Sequence, residues 1–206
     1  MLISLESLIG KYSLNIKGVI HIGAHIGQEF NDYKRANINN LMFFEPLKNN
    51  YEQLLKNIIL SDTVKTYNIA LGNIEGVIEM FTEIDNQGMS SSILEPALVL
   101  TQYPHIKFND KETVKIDRLD NIKFNRDIFN MINIDVQGYE MEVFRGSMST
   151  LEYIDIIYTE VNRDEVYKDC AKIDELDNFL GEFNFNRIET TWDGITWGDA
   201  LYLKNK

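Results

Sequence analysis

The chain has 206 residues, and its 44% hydrophobic and 25% charged residues are typical of a globular protein of ordinary domain size. Its 32 acidic residues outnumber 20 Lys and Arg, giving a formal net charge of -12 that disfavours nucleic acid and anionic membrane surfaces as partners. The single cysteine, Cys170, excludes an internal disulfide and allows a reducing compartment. No basic start or long apolar run predicts a signal peptide or a membrane span, so we expect a cytoplasmic protein.

Hydrophobic periodicity predicts strands that alternate with helices along the first half of the chain. The predicted elements there are a helix at 2–13 within an N-terminal segment 1–15, a strand at 18–22, a helix at 28–36, a strand at 41–45, a helix at 47–59 and a strand at 64–71.

The second half continues the alternation after an insertion at 76–120. The predicted elements are additional strands at 76–82 and 113–119, core strands at 131–136 and 154–161, helices at 140–151 and 173–181, and a final antiparallel pair at 185–191 and 200–204. Gly88 and the serines at 90–92 lie in a polar loop of the insertion, which is a candidate lid. The pattern predicts an α/β fold with a mostly parallel sheet, helices on both faces, and one domain over 1–206.

A glycine turn follows the first predicted strand. Gly23 and Gly27 have GxxxG spacing, whereas a dinucleotide turn uses GxGxxG and places a pyrophosphate on a helix N-terminus. Gln28 and Glu29 begin the next helix, and a carboxylate there would repel a diphosphate, which disfavours a nicotinamide-dependent dehydrogenase. S-adenosylmethionine fits better, because it carries a sulfonium, an amino-acid tail and a ribose but no phosphate.

Other residues near the turn are candidates for the same cofactor. Glu45 ends the second strand, followed by Pro46, at the position from which an acid reaches ribose hydroxyls. Ala70, at the end of the third strand, is placed to line the adenine. We expect His25, within the glycine turn, to face the ligand. His21, on the first strand, is either a cofactor contact or a core residue with a hydrogen-bonded ring.

Polar residues also end two later strands. Asp135, followed by Val136, ends the strand at 131–136, and Glu160 and Asn162 close the next strand. Two carboxylates and an amide oxygen suit a hard divalent cation such as Mg²⁺ or Mn²⁺. Alternatively, Asp135 or Glu160 acts as a general base for a hydroxyl. A third possibility is that these acids cap helices or pair with arginines, for which Arg145 and Arg163 are available.

The blocks VIHIGAHIGQE, FFEPLKNNYEQL, INIDVQGYEMEVFRG and IIYTEVN resemble the FkbM family of S-adenosylmethionine-dependent methyltransferases, over about 18–203. The resemblance implies a Rossmann-like, seven-stranded class I methyltransferase sheet with a final antiparallel strand. It also implies O-methylation of a hydroxyl of a sugar, glycan or glycoside, for which Trp192 and Trp197 could form an acceptor wall. The alternative is a non-catalytic module that binds the cofactor or a partner within a glycan-building assembly.

The resemblance also implies roles for individual residues. Gly23, Ala24 and Gly27 would approach the methionine portion of the cofactor, Glu45 would hold the ribose, and Asp135 would stand where methyl donor and acceptor meet. Ser91 and Ser92 match a serine-bearing loop that closes on the cofactor. Many members have Asp at the position of His21, where it holds the cofactor amino group. We therefore expect Glu29 to supply that contact here.

Overall fold

The computed structural model describes residues 1–194 and 196–205, which form the following strands and helices. The strands are β1 (Gly18–Ile22), β2 (Asn40–Phe44), β3 (Val64–Tyr67), β4 (Ala70–Leu71), β5 (Gly76–Thr82), β6 (Asp110–Asp117), β7 (Met131–Ile134), β8 (Ile156–Asn162), β9 (Phe185–Asp193) and β10 (Trp197–Lys204). The α-helices are α1 (Leu5–Tyr12), α2 (Phe30–Arg35), α3 (Lys48–Asn57), α4 (Val99–Gln102), α5 (Glu140–Arg145), α6 (Met148–Leu151) and α7 (Ile173–Glu182). Among these described residues, every helix is too short or too polar to cross a bilayer.

Seven strands form one large sheet in the order β3-β2-β1-β7-β8-β10-β9. Strands β3 to β8 in that order run parallel, and β10 runs antiparallel to both of its neighbours. This confirms the predicted mostly parallel, seven-stranded sheet with a late antiparallel strand. The chain moves outward from β1 to β3 and later places β7 on the other side of β1. In open α/β sheets such a reversal creates a crevice at the carboxyl ends of the strands, where ligands bind.

Both faces of the large sheet are covered, because alternate residues of a strand point to opposite sides. On one side, Val19 and Leu41 pack with residues from α1, α2 and α3. On the other side, Ile20 and Ile132 pack with residues from α5, α6, α7 and the strand β6. The helices on both faces agree with the predicted layers, and they leave the carboxyl ends of β1, β2 and β7 to form a site.

A three-stranded sheet, β4-β6-β5, contains the two inserted strands predicted from the sequence. The prediction of one continuous strand at 64–71 is wrong, because β3 ends at Tyr67 and β4 pairs with β6 in the small sheet. At the break, the Asn68 side-chain amide donates to the carbonyl oxygens of Glu45 and Pro46, both at 2.9 Å. These bonds hold the chain where it leaves the large sheet beside the crevice.

Three other boundaries differ from the prediction. The helix predicted at 140–151 is two helices, because Gly146 lies against the Gly72 backbone and an added Cβ would be 1.8 Å from the Gly72 carbonyl oxygen. The helix predicted from 28 begins at 30, after a turn. Trp192 and Trp197, expected in a loop, lie in β9 and β10, because the pairing of these strands extends to that register.

Candidate functional site

A cavity opens at the carboxyl ends of β1, β2 and β7. Most of the predicted cofactor-binding residues line it, namely His21, Gly23, Ala24, His25, Gln28, Glu29, Glu45, Pro46, Ala70, Ser91, Asp135 and Val136. Gly27 and Ser92 are not on its described wall. An added Cβ on Gly27 would lie 2.6 Å from Leu54 Cδ1, so Gly27 serves the packing of α3. Ser92 Oγ instead donates to the Gln137 carbonyl oxygen at 2.7 Å.

The glycine turn is held by backbone contacts. The N–H groups of Gly23 and Ala24 donate to the Phe44 carbonyl oxygen at 3.0 and 2.9 Å. Gly23 has φ +77°, and an added Cβ would lie 1.8 Å from the Asp135 carbonyl oxygen. Glycine is therefore required for the end of β1 to pack against the end of β7. Gly23 was expected to let the backbone approach a ligand closely. In the structure it lets the end of β1 approach the backbone of Asp135, and this contact shapes the cavity.

Replacing Gly23 with alanine is expected to lower the free energy of unfolding by more than about 2 kcal/mol, because of the backbone strain and the contact with Asp135. Gly10→Ala is the matched control. Gly10 lies in α1 with no atom within 4 Å of an added Cβ, so alanine should stabilise the helix by up to about 1 kcal/mol. Urea denaturation measures both variants, and equal stabilities would contradict this role for Gly23.

Glu45 follows β2 directly and is buried. Its Oε2 accepts from the His25 N–H and its Oε1 from the Leu47 N–H, both at 2.9 Å, so it ties the glycine turn to the start of α3. Each carboxylate oxygen retains a further acceptor site. Burial raises the pKa of Glu45 to about 8. The residue thus stands beside the cavity with acceptor capacity for two more donors.

His21 is both a core residue and part of the cavity wall. Its ring nitrogens lie 3.2 Å from Tyr33 Oη and 3.4 Å from Asn133 Nδ2. Burial lowers the pKa of His21 to about 4, so the ring is neutral at neutral pH. It therefore brings no positive charge to this end of the cavity, where Glu29 supplies a carboxylate.

The loop at 83–92, here called the lid loop, forms part of the cavity wall through Gly88, Met89 and Ser91. The buried Glu83 carboxylate organises the loop by accepting from the N–H groups of Asn86 at 2.6 Å and Ser90 at 3.0 Å. Both donors belong to the lid loop itself, so these bonds hold the loop in a folded conformation at the cavity wall.

His25 connects the glycine turn to the lid loop. Its Nε2 donates to the Gln87 carbonyl oxygen at 2.8 Å, and its Nδ1 accepts from Gln28 Nε2 at 2.8 Å. The Gln87 carbonyl oxygen can only accept, so Nε2 is the donor in this contact. The predicted ligand-facing histidine therefore also fixes the lid loop in place.

Asp135 and Glu160, here called the acid pair, meet at the inner end of the cavity. Gln137 Nε2 donates to Asp135 Oδ1 at 2.7 Å and to Glu160 Oε2 at 2.8 Å. Glu160 is buried, whereas Asp135 is exposed and lines the cavity. Desolvation raises the pKa of both groups, and the charge of Asp135 raises that of Glu160 further. Glu160 therefore holds its proton more strongly than an exposed glutamate does, next to the Asp135 carboxylate.

Gln137 is a site residue that the sequence did not predict. It has φ +54°, and its Oε1 lies 2.9 Å from Tyr167 Oη, in reach of the phenol proton. The Ser92 contact holds its backbone. Its position between Asp135 and Gly138 in the motif was the available signal, but only the fold shows that its amide joins the two acids.

A third carboxylate, Glu140, lies beside the acid pair. Oxygens of Asp135, Glu140 and Glu160 lie within 4.8 Å of one another. Glu140 Oε1 accepts from the N–H groups of Val136 at 3.0 Å and Gly138 at 3.2 Å, so it also holds the loop after β7. Asn162 is buried at the end of β8, away from the described cavity wall, and its amide lacks a hydrogen-bond partner among residues 1–194 and 196–205.

The two arginines considered as partners for these acids are engaged elsewhere. Arg145 forms an ion pair with Glu142 on α5. The guanidinium of Arg163 stacks over Trp192, 3.7 Å from the ring centroid. The acid pair therefore has the Gln137 amide, and neither of these arginines, as its polar partner.

Buried carboxyl groups with raised pKa values should make the protein more stable as pH falls. Burial raises the pKa of Glu45 to about 8 and that of Glu140 to about 7, against an ordinary 4.5. At pH values between 4.5 and the raised pKa values, the folded protein binds more protons than the unfolded chain. The free energy of unfolding therefore decreases as pH rises through this range to the folded pKa values. Each kcal/mol corresponds to about 2–4 °C in Tm, and we expect a rise of several degrees from about pH 8.5 to about pH 5.5.

Thermal denaturation across this range measures the effect. Glu45→Gln should show a smaller rise in Tm than the wild type, because the amide cannot take up the proton. A wild-type Tm that falls between about pH 8.5 and about pH 5.5 would contradict the protonated state of these groups.

Comparison with known proteins identifies the family. A model of the methyltransferase FkbM domain matches residues 21–187, most of the chain. The 2-O-methyltransferase NoeI of Sinorhizobium fredii (strain NBRC 101917 / NGR234) is 26% identical over 159 residues. That match covers 73% of this chain and 65% of NoeI, so it spans less than two thirds of that relative.

Solved structures share the fold at low sequence identity. The magnesium protoporphyrin IX methyltransferase (ChlM) of Synechocystis PCC 6803, with bound SAM, has a TM-score of 0.54 and 7% identity, and the match covers 97% of this chain and 76% of that one. Streptococcus pneumoniae Sp1610, in complex with S-adenosyl-L-methionine, has a TM-score of 0.53 and 10% identity, with 97% and 72% covered. The sheet order agrees with the predicted class I methyltransferase fold. The chain therefore belongs to the FkbM methyltransferase family.

Proposed function

We propose that the chain is an S-adenosylmethionine-dependent methyltransferase and that it acts on a hydroxyl oxygen of a sugar, glycan or glycoside. The acid pair is the observation that supports this, because Asp135 presents a carboxylate to the cavity and can accept the proton of a hydroxyl. The similarity to a 2-O-methyltransferase agrees with an oxygen acceptor. We further propose that 1–206 act as one domain, in which the insertion at 76–120 supplies the lid loop.

The cavity wall offers groups that match the parts of the cofactor. Glu45 would accept hydrogen bonds from the ribose hydroxyls with its two remaining acceptor sites. Glu29 would pair with the amino group, and the backbone of Gly23 and Ala24 would lie against the methionine portion. The apolar Ala70 side chain and the lid-loop Ser91 complete the wall near the adenine end. S-adenosylmethionine, once bound there, supplies the activated methyl group.

The residues of the acid pair have different tasks in this proposal. A hydroxyl held beside Asp135 gives its proton to a carboxylate oxygen as the hydroxyl oxygen takes the methyl group. Bound S-adenosylmethionine would supply the methyl group, and its sulfur would keep the electron pair of the sulfur–carbon bond. Glu160 retains its own proton and supports Asp135 by a hydrogen bond, while Gln137 fixes the orientation of both.

A divalent cation at Asp135, Glu160 and Asn162 is the alternative way to activate the hydroxyl. Gln137 Nε2 lies 2.7 and 2.8 Å from Asp135 and Glu160, so the amide competes with a cation for these oxygens. We therefore expect EDTA to change the rate of methyl transfer by less than about twofold. A loss of transfer that Mg²⁺ or Mn²⁺ restores would overturn the metal-free mechanism.

The function is tested by incubating the protein with S-adenosylmethionine and a mixture of glycosides. Mass spectrometry should find methyl ethers on sugar oxygens. In parallel, S-adenosylhomocysteine should raise the Tm, since a ligand at about 100 times its Kd adds roughly 2.7 kcal/mol. A thermal shift without methylation of any glycoside would instead favour the non-catalytic binding module.

A further inference from the structure

A second cavity adjoins the first at the acid pair. Asp135, Gln137 and Glu160 line both cavities. The second has a volume of about 300 Å³, which lies at the small end of the range for ligand pockets. A molecule within it would therefore reach the same Asp135 carboxylate that lines the first cavity.

One wall of the second cavity is aromatic. Tyr103, which directly follows α4, Tyr167, and Trp197 from β10 line it, with Val99 and Val166 beside them. Trp197 Nε1 donates to Tyr103 Oη at 2.8 Å, which fixes the two rings relative to each other. Large, rigid aromatic faces bind apolar surfaces such as the C–H face of a sugar ring at little cost in side-chain entropy.

The polar groups of the second cavity are acidic. The carboxyl groups of Asp135, Glu160 and Asp193 line it, and its lining within residues 1–194 and 196–205 includes neither Lys nor Arg. Carboxylates accept hydrogen bonds from hydroxyl and ammonium groups, whereas they repel a phosphate or another carboxylate. Arg163, which directly follows β8, is stacked on the ring of Trp192. The cavity therefore discriminates by charge as well as by shape.

We infer that the second cavity binds the acceptor and selects sugar rings that are uncharged or carry an amino group, excluding phosphorylated and carboxylated sugars. This inference rests on the proposed function, because it takes the acceptor to be a sugar. It assigns Trp197 to the binding of the ring face and Asp193 to the recognition of hydroxyl or amino groups. The acceptor hydroxyl then lies against Asp135 at the wall that the two cavities share.

The test uses methyl glycosides of glucose, galactose and mannose, each in neutral, 2-amino, 6-carboxylate and 6-phosphate forms. With S-adenosylmethionine present, kcat/KM for the neutral or amino form should exceed that of the matched anionic forms by at least about tenfold. Transfer that favours the carboxylated or phosphorylated forms would overturn this inference and leave the proposed function intact. Failure to methylate any of these sugars, with S-adenosylhomocysteine still bound, would count against the proposed function itself.

Variants locate the site. Trp197→Ala should raise KM for the accepted glycoside by at least about tenfold without changing the Kd of S-adenosylhomocysteine, and Trp197→Phe should recover part of the loss. Tyr153→Ala is the control, because Tyr153 is an exposed aromatic residue outside both cavities, and it should change neither value. Asp193→Lys should reduce the ratio of kcat/KM for the neutral sugar to kcat/KM for the matched anionic sugars. An unchanged KM in Trp197→Ala, or an unchanged preference in Asp193→Lys, would place the acceptor elsewhere.

Discussion

Asp135→Asn is expected to bind S-adenosylhomocysteine as tightly as the wild type and to lower kcat for methyl transfer by about 10²–10⁴-fold. Asparagine keeps the shape of the side chain and an oxygen for Gln137 Nε2, which lies 2.7 Å from Asp135 Oδ1, but it cannot take a proton from the acceptor. Desolvation raises the pKa of Asp135, so the wild-type rate should increase with pH above the ordinary carboxylate range near 4. The variant should lose this increase.

Calorimetry with S-adenosylhomocysteine and a methyl-transfer assay across pH measure these effects separately. Asp127→Asn is the matched control, because Asp127 is an exposed acid that precedes β7 at the end opposite to Asp135. It should leave both cofactor affinity and kcat unchanged. Intact turnover by Asp135→Asn would remove the base role from this residue.

Glu45→Ala is expected to raise the Kd of S-adenosylhomocysteine by at least about 100-fold. Hydrogen bonds to a charged group contribute about 1.5–3 kcal/mol each, the ribose offers two hydroxyls, and every 1.4 kcal/mol is tenfold in affinity. Glu52→Ala, an exposed acid on the neighbouring helix α3, is the control and should bind as the wild type does. Similar affinities for the two variants would contradict the ribose contact.

Glu45 also supports the fold, so its effect on binding needs a second readout. The N–H groups of His25 and Leu47 lose their acceptor in the alanine variant, whereas Glu45→Gln keeps one acceptor oxygen. The raised pKa of about 8 provides the readout, because ribose hydroxyls donate to the ionised carboxylate. Near pH 7 the wild type should release up to about one proton on binding, and Glu45→Gln should release none. Calorimetry in two buffers of different ionisation enthalpy measures this release.

The parts of the site that the sequence predicted are local patterns. Gly23, Glu45 and Asp135 each follow an apolar strand directly, and parallel strands bring their carboxyl ends to one edge. Placing three such residues around one cavity therefore needed only the positions of the strands. The same reasoning predicted the antiparallel partner β10, because the connection from β9 is too short for a parallel crossover.

The parts that the sequence did not predict depend on contacts between distant segments. Gln137 joins the acid pair only because β7 and β8 are neighbours and Tyr167 lies opposite. Gly27 has the sequence context of a ligand-binding glycine, but its neighbour is Leu54 on α3. The break at Asn68 arises from carbonyl oxygens that only the folded β2 end presents. Such tertiary contacts override local propensity and leave no periodic signal.

The most direct test of the account is a crystal structure of the protein with S-adenosylhomocysteine. We predict that both ribose hydroxyls lie within about 2.5–3.0 Å of the Glu45 carboxylate oxygens. We also predict that the cofactor sulfur faces Asp135, at the wall shared by the two cavities. A cofactor whose ribose lies away from Glu45, or whose sulfur faces away from Asp135, would contradict both the cofactor site and the proposed methyl transfer.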